Sequence, residues 1–194
     1  MSRTLTRLAI INAAVKLFAS QGFEKTTVDE VAAEAGIAKG TVFYNFKDKD
    51  DIFFSVLKHG VDDLTDLARE QAERGTTPTE KLEAVYDATV EFLQKYASFG
   101  SLLVSELGRI HSRWNLDPLT LLEPYLKILS EILIEGQAGQ DFRHDISADE
   151  IAVIFFLGIV GSGLGRVMTA GYADLQLFAP TKKILLSGLK TELD

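Results

Sequence analysis

The sequence predicts an all-α protein of about nine helices, on three observations. Apolar residues recur three and four positions apart through most of the chain. Helix-start signals recur along it, at Thr27 with Glu30, at Thr77, Pro78 and Glu80, and at Ser147 with Glu150, each with the S/T-x-x-E spacing of a capping box. No run alternates apolar and polar residues between turn signals, so nothing reads as a strand.

The first helix covers residues 4–21, with Ile10, Ala13, Ala14, Leu17 and Phe18 as its apolar stripe, and Gln21 and Gly22 end it. Thr27 opens a short helix whose small apolar face is Val28, Val31, Ala32 and Ala35. Gly36 follows, the residue best suited to the left-handed conformation that closes a helix. After Ile37 and Ala38, a second short helix carries Lys39, Gly40 and Thr41 on its leading edge. Two short helices about a tight turn outline a helix-turn-helix, whose second helix enters the DNA major groove.

A long helix over about residues 50–73 follows, with Ile52, Phe53, Val56, Leu57, Val61, Leu64 and Leu67 as its buried set. The next helix begins after the break at residues 74–78 and turns Leu82, Val85, Tyr86, Thr89, Phe92, Leu93 and Tyr96 inward. A further segment spans about residues 100–113, and another starts at Asp117 and Pro118, with Pro124 predicting a kink or a broken start. Residues 136–145 read as a polar loop, and Ser147 opens a very apolar helix to about Ala170. Gly171, Tyr172 and Ala173 form a turn. The last helix ends near Leu189 and starts in one of two ways: Asp174 caps it and Pro180 bends it, or it begins near Pro180.

The chain has 194 residues, 46% of them apolar and 25% charged, an ordinary globular composition. It contains no cysteine, which excludes disulfides and thiolate metal sites. The N-terminus lacks a signal-peptide pattern. The longest uncharged run, Ile151 to Gly165, is 15 residues with four glycines, short of the roughly 20 a membrane span needs. A cytoplasmic protein that engages no membrane is expected. The net charge of −8 divides unevenly: residues 1–50 hold seven Lys/Arg against six Asp/Glu, or +1, and residues 51–194 hold 13 against 22, or −9. The acidity thus lies outside the helix-turn-helix, where Arg3, Arg7, Lys25, Lys39, Lys47 and Lys49 offer a modest basic face.

The N-terminal fifty residues resemble the TetR family of bacterial transcriptional regulators. The resemblance rests on Arg7, Ile10, Ala14, Leu17, Phe18, Gly22, Thr27, Val31, Ala32, Ala35, Gly36, Lys39, Gly40, Thr41, Phe46 and Lys49. Beyond residue 60 it is limited to the helical layout and a loose GQ-x-x-G-x-F/I-R pattern at residues 136–143. It implies a helix-turn-helix DNA-binding domain over residues 1–49, with its motif at 27–46, and a helical ligand-binding and dimerisation domain over 50–194. It further implies that Thr27 meets a phosphate and that Lys39, Gly40, Thr41, Tyr44 and Asn45 lie on or near the recognition helix. Lys49 would hold a second phosphate. Phe43 stands where the family usually has tyrosine, and Ala38 where serine is frequent, which suggests fewer backbone contacts.

In the remainder, Tyr86, Phe92, Tyr96, Phe99, Trp114 and Tyr125 are candidates for lining an effector pocket, with Glu106, Arg109, His111 and Arg113 as polar groups that orient a ligand. The apolar bias favours a hydrophobic or amphipathic effector. For one with an anionic head, such as an acyl thioester of coenzyme A, Arg109 or Arg113 would be the partner. Gly158, Gly161, Gly163 and Gly165 make a small-residue stripe, and the resemblance places that helix and the last one in a homodimer interface. Close packing within one subunit is the other use of such a stripe. A dinucleotide fingerprint fails because Arg166 occupies the third glycine's place.

Catalysis finds no motif: His59, His111 and His144 are scattered, no nucleophile elbow or P-loop occurs, and no cofactor or metal is implied. The reading is a homodimeric transcriptional regulator binding a palindromic double-stranded DNA operator and answering a small-molecule effector, with a repressor favoured over an activator. The alternative is a helical ligand-binding or scaffold protein without operator recognition.

Overall fold

The computed structural model describes residues 3–103, 118–168 and 176–190. Among them are nine helical segments: α1 Arg3–Gln21, α2 Val28–Glu34, α3 Lys39–Asn45, α4 Lys49–Ala72, α5 Pro78–Lys95, α6 of which residues 97–103 are described, α7 Pro118–Ala138, α8 Ala148–Met168 and α9 Phe178–Leu189. The sole β pairing among the described residues is an antiparallel bridge between Phe142 and Lys190.

Helix starts follow local side-chain chemistry. At α2 the Glu30 amide donates to the Thr27 hydroxyl (3.2 Å), and the Thr27 amide donates to the Glu30 carboxylate (2.7 Å). Thr77 and Glu80 repeat the exchange at α5, Ser147 and Glu150 at α8. Each exchange satisfies amides that have no partner inside the helix, and each cap contributes about 1 kcal/mol. At α4 the Asp51 amide donates to the Asp48 carboxylate, and Asp51 in turn accepts from the Lys47 amide.

Stops are equally local. Gly22 (φ +84°) and Gly36 (φ +67°) take the left-handed conformation. After α2, the Gly36 and Ile37 amides donate to the carbonyls of Ala33 and Ala32, closing the helix end. Pro124 lies within α7, and the helix continues through it. Gly136, Gln137 and Ala138 belong to α7, so the polar loop expected from residue 136 starts after Ala138. α9 starts at Phe178, with Pro180 in its first turn, where a missing N–H removes no helical hydrogen bond. The turn expected at residues 171–173 and the stretch 104–117 lie outside the described residues.

The chain divides into two compact units, Met1–Gly60 with Tyr96–Arg109, and Val61–Lys95 with Ile110–Asp194. The boundary expected between residues 49 and 50 falls at the start of α4, and the first unit runs on to Gly60. Its core gathers Ile10, Ala14, Phe18, Phe23, Val31, Ala32, Val42, Phe46, Ile52, Phe53, Val56 and Leu57. Phe18, Phe23 and Phe53 form a triangle with ring centroids 4.9–5.9 Å apart, a geometry worth about 0.5–1.5 kcal/mol per pair beyond simple burial. Gly60 is required here, since a side chain at that position would enter the Phe99 ring.

In the second unit α8 packs against α5, α7 and α9. Tyr86 meets Phe155 edge-on, and Tyr125 meets Phe156. The loop after α7 is tied to the end of α9: the Arg143 amide donates to the Leu189 carbonyl (2.7 Å), and Gln137 donates to the carbonyls of Arg143 and Ile146.

The capping carboxylates predict an acid response. Hydrogen bonds from Thr27, from Thr76 and Thr77, and from Ser147 hold Glu30, Glu80 and Glu150 below the usual glutamate range. A depressed carboxylate pKa gives stability that is present above the unfolded value and lost as pH falls through the folded one. Thermal melts should therefore show stability declining as pH drops below about 4, with a smaller decline in a Glu30→Gln, Glu80→Gln, Glu150→Gln triple variant. An equal decline in both proteins would contradict this assignment.

Candidate nucleic-acid interface

The α3 helix presents one face outward. Lys39, Gly40, Phe43 and Tyr44 are exposed, Tyr44 at 73% and Phe43 at 48% of their full surface. Val42 and Asn45 are buried and Thr41 is half-buried. Positions 39, 40, 43 and 44 repeat at three and four residues, which places all four on one side of the helix. The Tyr44 ring lies under the Arg3 guanidinium at 5.6 Å.

Among the cations, burial and hydrogen bonding separate available groups from committed ones. The Lys39 ammonium pairs with the Asp29 carboxylate at 2.7 Å, and both side chains are more than half exposed. Such a surface pair contributes about 0–1 kcal/mol, so an incoming anion can take the lysine. Lys49, expected to hold a phosphate, stands differently. Its ammonium donates to the carbonyls of Phe23 (2.9 Å), Thr26 (3.0 Å) and Glu24 (3.3 Å), and it lies 4.3 Å above the Phe23 ring. An ammonium has three N–H donors, and all three are used. Hydrogen bonds to a charged group are worth about 1.5–3 kcal/mol each, so Lys49 is committed to the turn between α1 and α2.

Arg7 is committed in the same way. It donates to the Asn45 carbonyl (2.7 Å) and to the Ser55 hydroxyl (2.9 Å), with its guanidinium 4.1 Å from the Phe46 ring. Arg7 and Lys49 are both half-buried, with their head groups hydrogen-bonded within the chain. Asn45, expected at the DNA-facing surface, is buried. Its side-chain amide folds back to donate to the Thr41 carbonyl (2.8 Å), and its Oδ1 has no hydrogen-bond partner among the described residues. Thr27 is exposed, with its amide and hydroxyl both donating to Glu30.

Phe43, which is not among the sequence-derived candidates, shares this exposed face of α3. The signal was present, since it lies four positions after Lys39 on the helical wheel. Gly40 shows the complementary feature: a Cβ built there meets no atom within 4 Å, so nothing inside the chain requires glycine.

The expected effector-pocket residues are distributed between the units. Tyr86, Phe92 and Tyr125 are buried in the second. Tyr86 donates to the Phe178 carbonyl (2.7 Å), and the Tyr125 hydroxyl meets Thr89 at 2.8 Å. Burial raises both phenols above their ordinary pKa, so both act as neutral groups. Phe99 is buried in the first unit against Gly60. Tyr96, expected to face inward, follows the end of α5 and is 46% exposed. Glu106, Arg109, His111, Arg113 and Trp114 lie outside the described residues.

Of the dimer-interface residues, Gly158 faces its own chain. A Cβ there would meet Leu185 and Thr181 of α9 at 3.0 and 3.5 Å, and Ser162 links the same helices by donating to Thr181. Gly161 is exposed and open. Gly165 lies in α8 beyond the residues whose surroundings are described.

A capped helix-turn-helix with an outward second helix has the form of a DNA-binding head. The sequence model for bacterial regulatory proteins of the tetR family matches residues 10–56. The fatty acid metabolism regulator protein of Bacillus subtilis (strain 168) is 31% identical over 134 residues, covering 69% of each chain. Among solved structures, the fatty acid degradation regulator FadR from Bacillus halodurans matches with a TM-score of 0.85 at 26% identity, over 95% of this chain and 96% of that one. The transcriptional regulator FadR from Bacillus subtilis in complex with stearoyl-CoA matches with a TM-score of 0.79 at 26% identity, over 94% and 98%. The chain belongs to the tetR family of bacterial regulatory proteins.

Because Gly36 holds a left-handed φ with no atom near the Cβ position, its substitution isolates backbone strain. Gly36→Ala should cost about 1–2 kcal/mol in urea unfolding, and Gly36→Asn less. An alanine variant as stable as the native chain would contradict the turn geometry.

Proposed function

We propose that the chain is a homodimeric repressor that reads a palindromic DNA operator with residues 1–49 and is released when residues 50–194 bind a long-chain fatty acyl thioester of coenzyme A. The observation that carries the DNA reading is the outward face of α3, where Lys39, Gly40, Phe43 and Tyr44 stand together. Lysine suits guanine O6 and N7, and an exposed phenylalanine suits a thymine methyl. Two aromatics left this exposed on a seven-residue helix support a partner outside the chain. Thr27 is kept as a candidate phosphate ligand, with its donors passing from Glu30 to the DNA.

Dimerisation is supported by apolar residues left exposed in the second unit. Ile154, Leu157 and Gly161 repeat at three and four residues along α8, and Ile184 adds a fourth on α9. Two-fold pairing through this strip would set two heads for half-sites about 34 Å apart. The acyl-CoA assignment rests on the relatives, one a fatty acid metabolism regulator and one solved with stearoyl-CoA, and on the aromatic residues Tyr86, Phe92 and Tyr125 buried in the second unit. A ligand can release DNA through its differential affinity for the two states alone.

The full chain should enrich a palindromic duplex from a random library, and stearoyl-CoA should release that duplex in a fluorescence anisotropy titration. Failure of enrichment would defeat the DNA reading. Enrichment without release by stearoyl-CoA would defeat the effector assignment alone. Gly40→Ala should stabilise the chain by about 0.5–1 kcal/mol while weakening binding to the selected duplex. A variant that binds as tightly as the native chain would contradict close approach at Gly40. Leu157→Asp should sediment as a monomer in analytical ultracentrifugation, and a persistent dimer would rule out this strip as the interface.

A further inference from the structure

Asp29 and Glu30 are neighbouring carboxylates in the first turn of α2, and they are used differently. Glu30 turns back to the Thr27 amide and hydroxyl, at 2.7 and 2.9 Å, and closes the cap. Asp29 instead reaches across to α3, where the Lys39 ammonium lies 2.7 Å from its Oδ1 and 3.0 Å from its Oδ2. Both side chains keep more than half of their surface in water, so the pair supports no core. Gly40 stands beside Lys39 with open space where a side chain would be, so the backbone here can approach another surface closely. The outward face of α3 thus carries a positive and a negative group a hydrogen-bond length apart, one from each helix of the motif.

In the major groove a G·C pair presents the complementary arrangement: guanine O6 and N7 accept, and cytosine N4 donates. O6 and N4 are joined by a Watson–Crick N–H···O bond about 2.9 Å long, which matches the 2.7 Å between ammonium and carboxylate. Adenine in place of guanine puts its N6 donor under the ammonium, and the paired thymine puts its O4 acceptor under the carboxylate. Both contacts then turn repulsive, and an unpaired charge set against the wrong partner is a source of discrimination. On the DNA reading given above, we propose that Asp29 is a specificity-determining residue that reads one G·C pair per half-site together with Lys39. Lys39 donates to guanine O6 and N7, while the Asp29 carboxylate accepts from cytosine N4. The same carboxylate repels phosphates, which limits the use of Lys39 for sequence-independent adhesion.

The test is a binding profile over single-pair substitutions of a duplex selected by the native chain. Replacing the G·C pair by A·T should weaken native binding about a hundredfold. Asp29→Asn should narrow that difference roughly tenfold at this pair alone, because a carboxamide both donates and accepts. A second measurement leaves the protein unaltered, and decides the matter if Asp29→Asn does not fold by circular dichroism. N4-methylcytosine still pairs with guanine but lacks the groove-side N4–H, and at this pair it should weaken native binding roughly tenfold. Equal binding of the methylated and unmethylated duplexes by the native chain would overturn the proposal. So would an Asp29→Asn variant that binds every duplex more tightly with its preferences intact, since the carboxylate would then do no more than repel phosphates. A profile unchanged by Asp29→Asn would overturn it too, and in each of these cases the DNA reading stands. A library from which the native chain enriches nothing would overturn the DNA reading and this proposal with it.

Discussion

The Lys49 ammonium on three carbonyls of the turn between α1 and α2 is the interaction on which the geometry of the first unit depends. α2 and α3 have seven residues each, well below the length at which a helix is stable by itself. Their caps and turns define where they start and stop, and their apolar faces, Val31, Ala32 and Val42, are small. Packing of that size leaves orientation weakly determined. Directional bonds from Lys49 and Arg7 supply the missing constraint, and the Phe18, Phe23 and Phe53 triangle gives those bonds a rigid floor.

The same physics separates the cations held by backbone carbonyls from one paired only at the surface. Charge counting in the sequence treats Arg7, Lys39 and Lys49 alike. In the fold, Lys39 pairs with an exposed carboxylate, whereas Lys49 and Arg7 are invested in carbonyls and rings. A net charge near zero in the first fifty residues is then less paradoxical. A short reading surface needs few free cations when its placement is rigid, and the acidic remainder of the chain suppresses loose adhesion to DNA.

Local chemistry is what the sequence makes legible. Thr27 with Glu30, Thr77 with Glu80, Ser147 with Glu150 and the left-handed Gly36 are interactions within five residues, and spacing alone reveals them. Hidden from spacing is whatever depends on partners distant in the chain. Lys49 meets carbonyls 23–26 residues earlier, Arg7 meets Asn45 across 38 residues, and Gly158 is closed by Leu185 of its own α9. The family pattern aligns Lys49 with a phosphate ligand, and its hydrogen bonds point elsewhere. Phe43 lacks the hydroxyl that the pattern favours, yet its position four after Lys39 puts it on the outward face of α3. Tyr96 reads as inward only when the periodicity of α5 is extended past the helix end at Lys95.

Central to the proposed function is the coupling of an effector site to a DNA-reading head. Coupling of binding free energies is reciprocal, which offers a direct measurement: calorimetric titration of stearoyl-CoA into the full chain, alone and saturated with the selected duplex. The duplex should weaken stearoyl-CoA binding by the same factor by which stearoyl-CoA weakens duplex binding. Identical stearoyl-CoA affinity with and without the duplex would contradict the coupling.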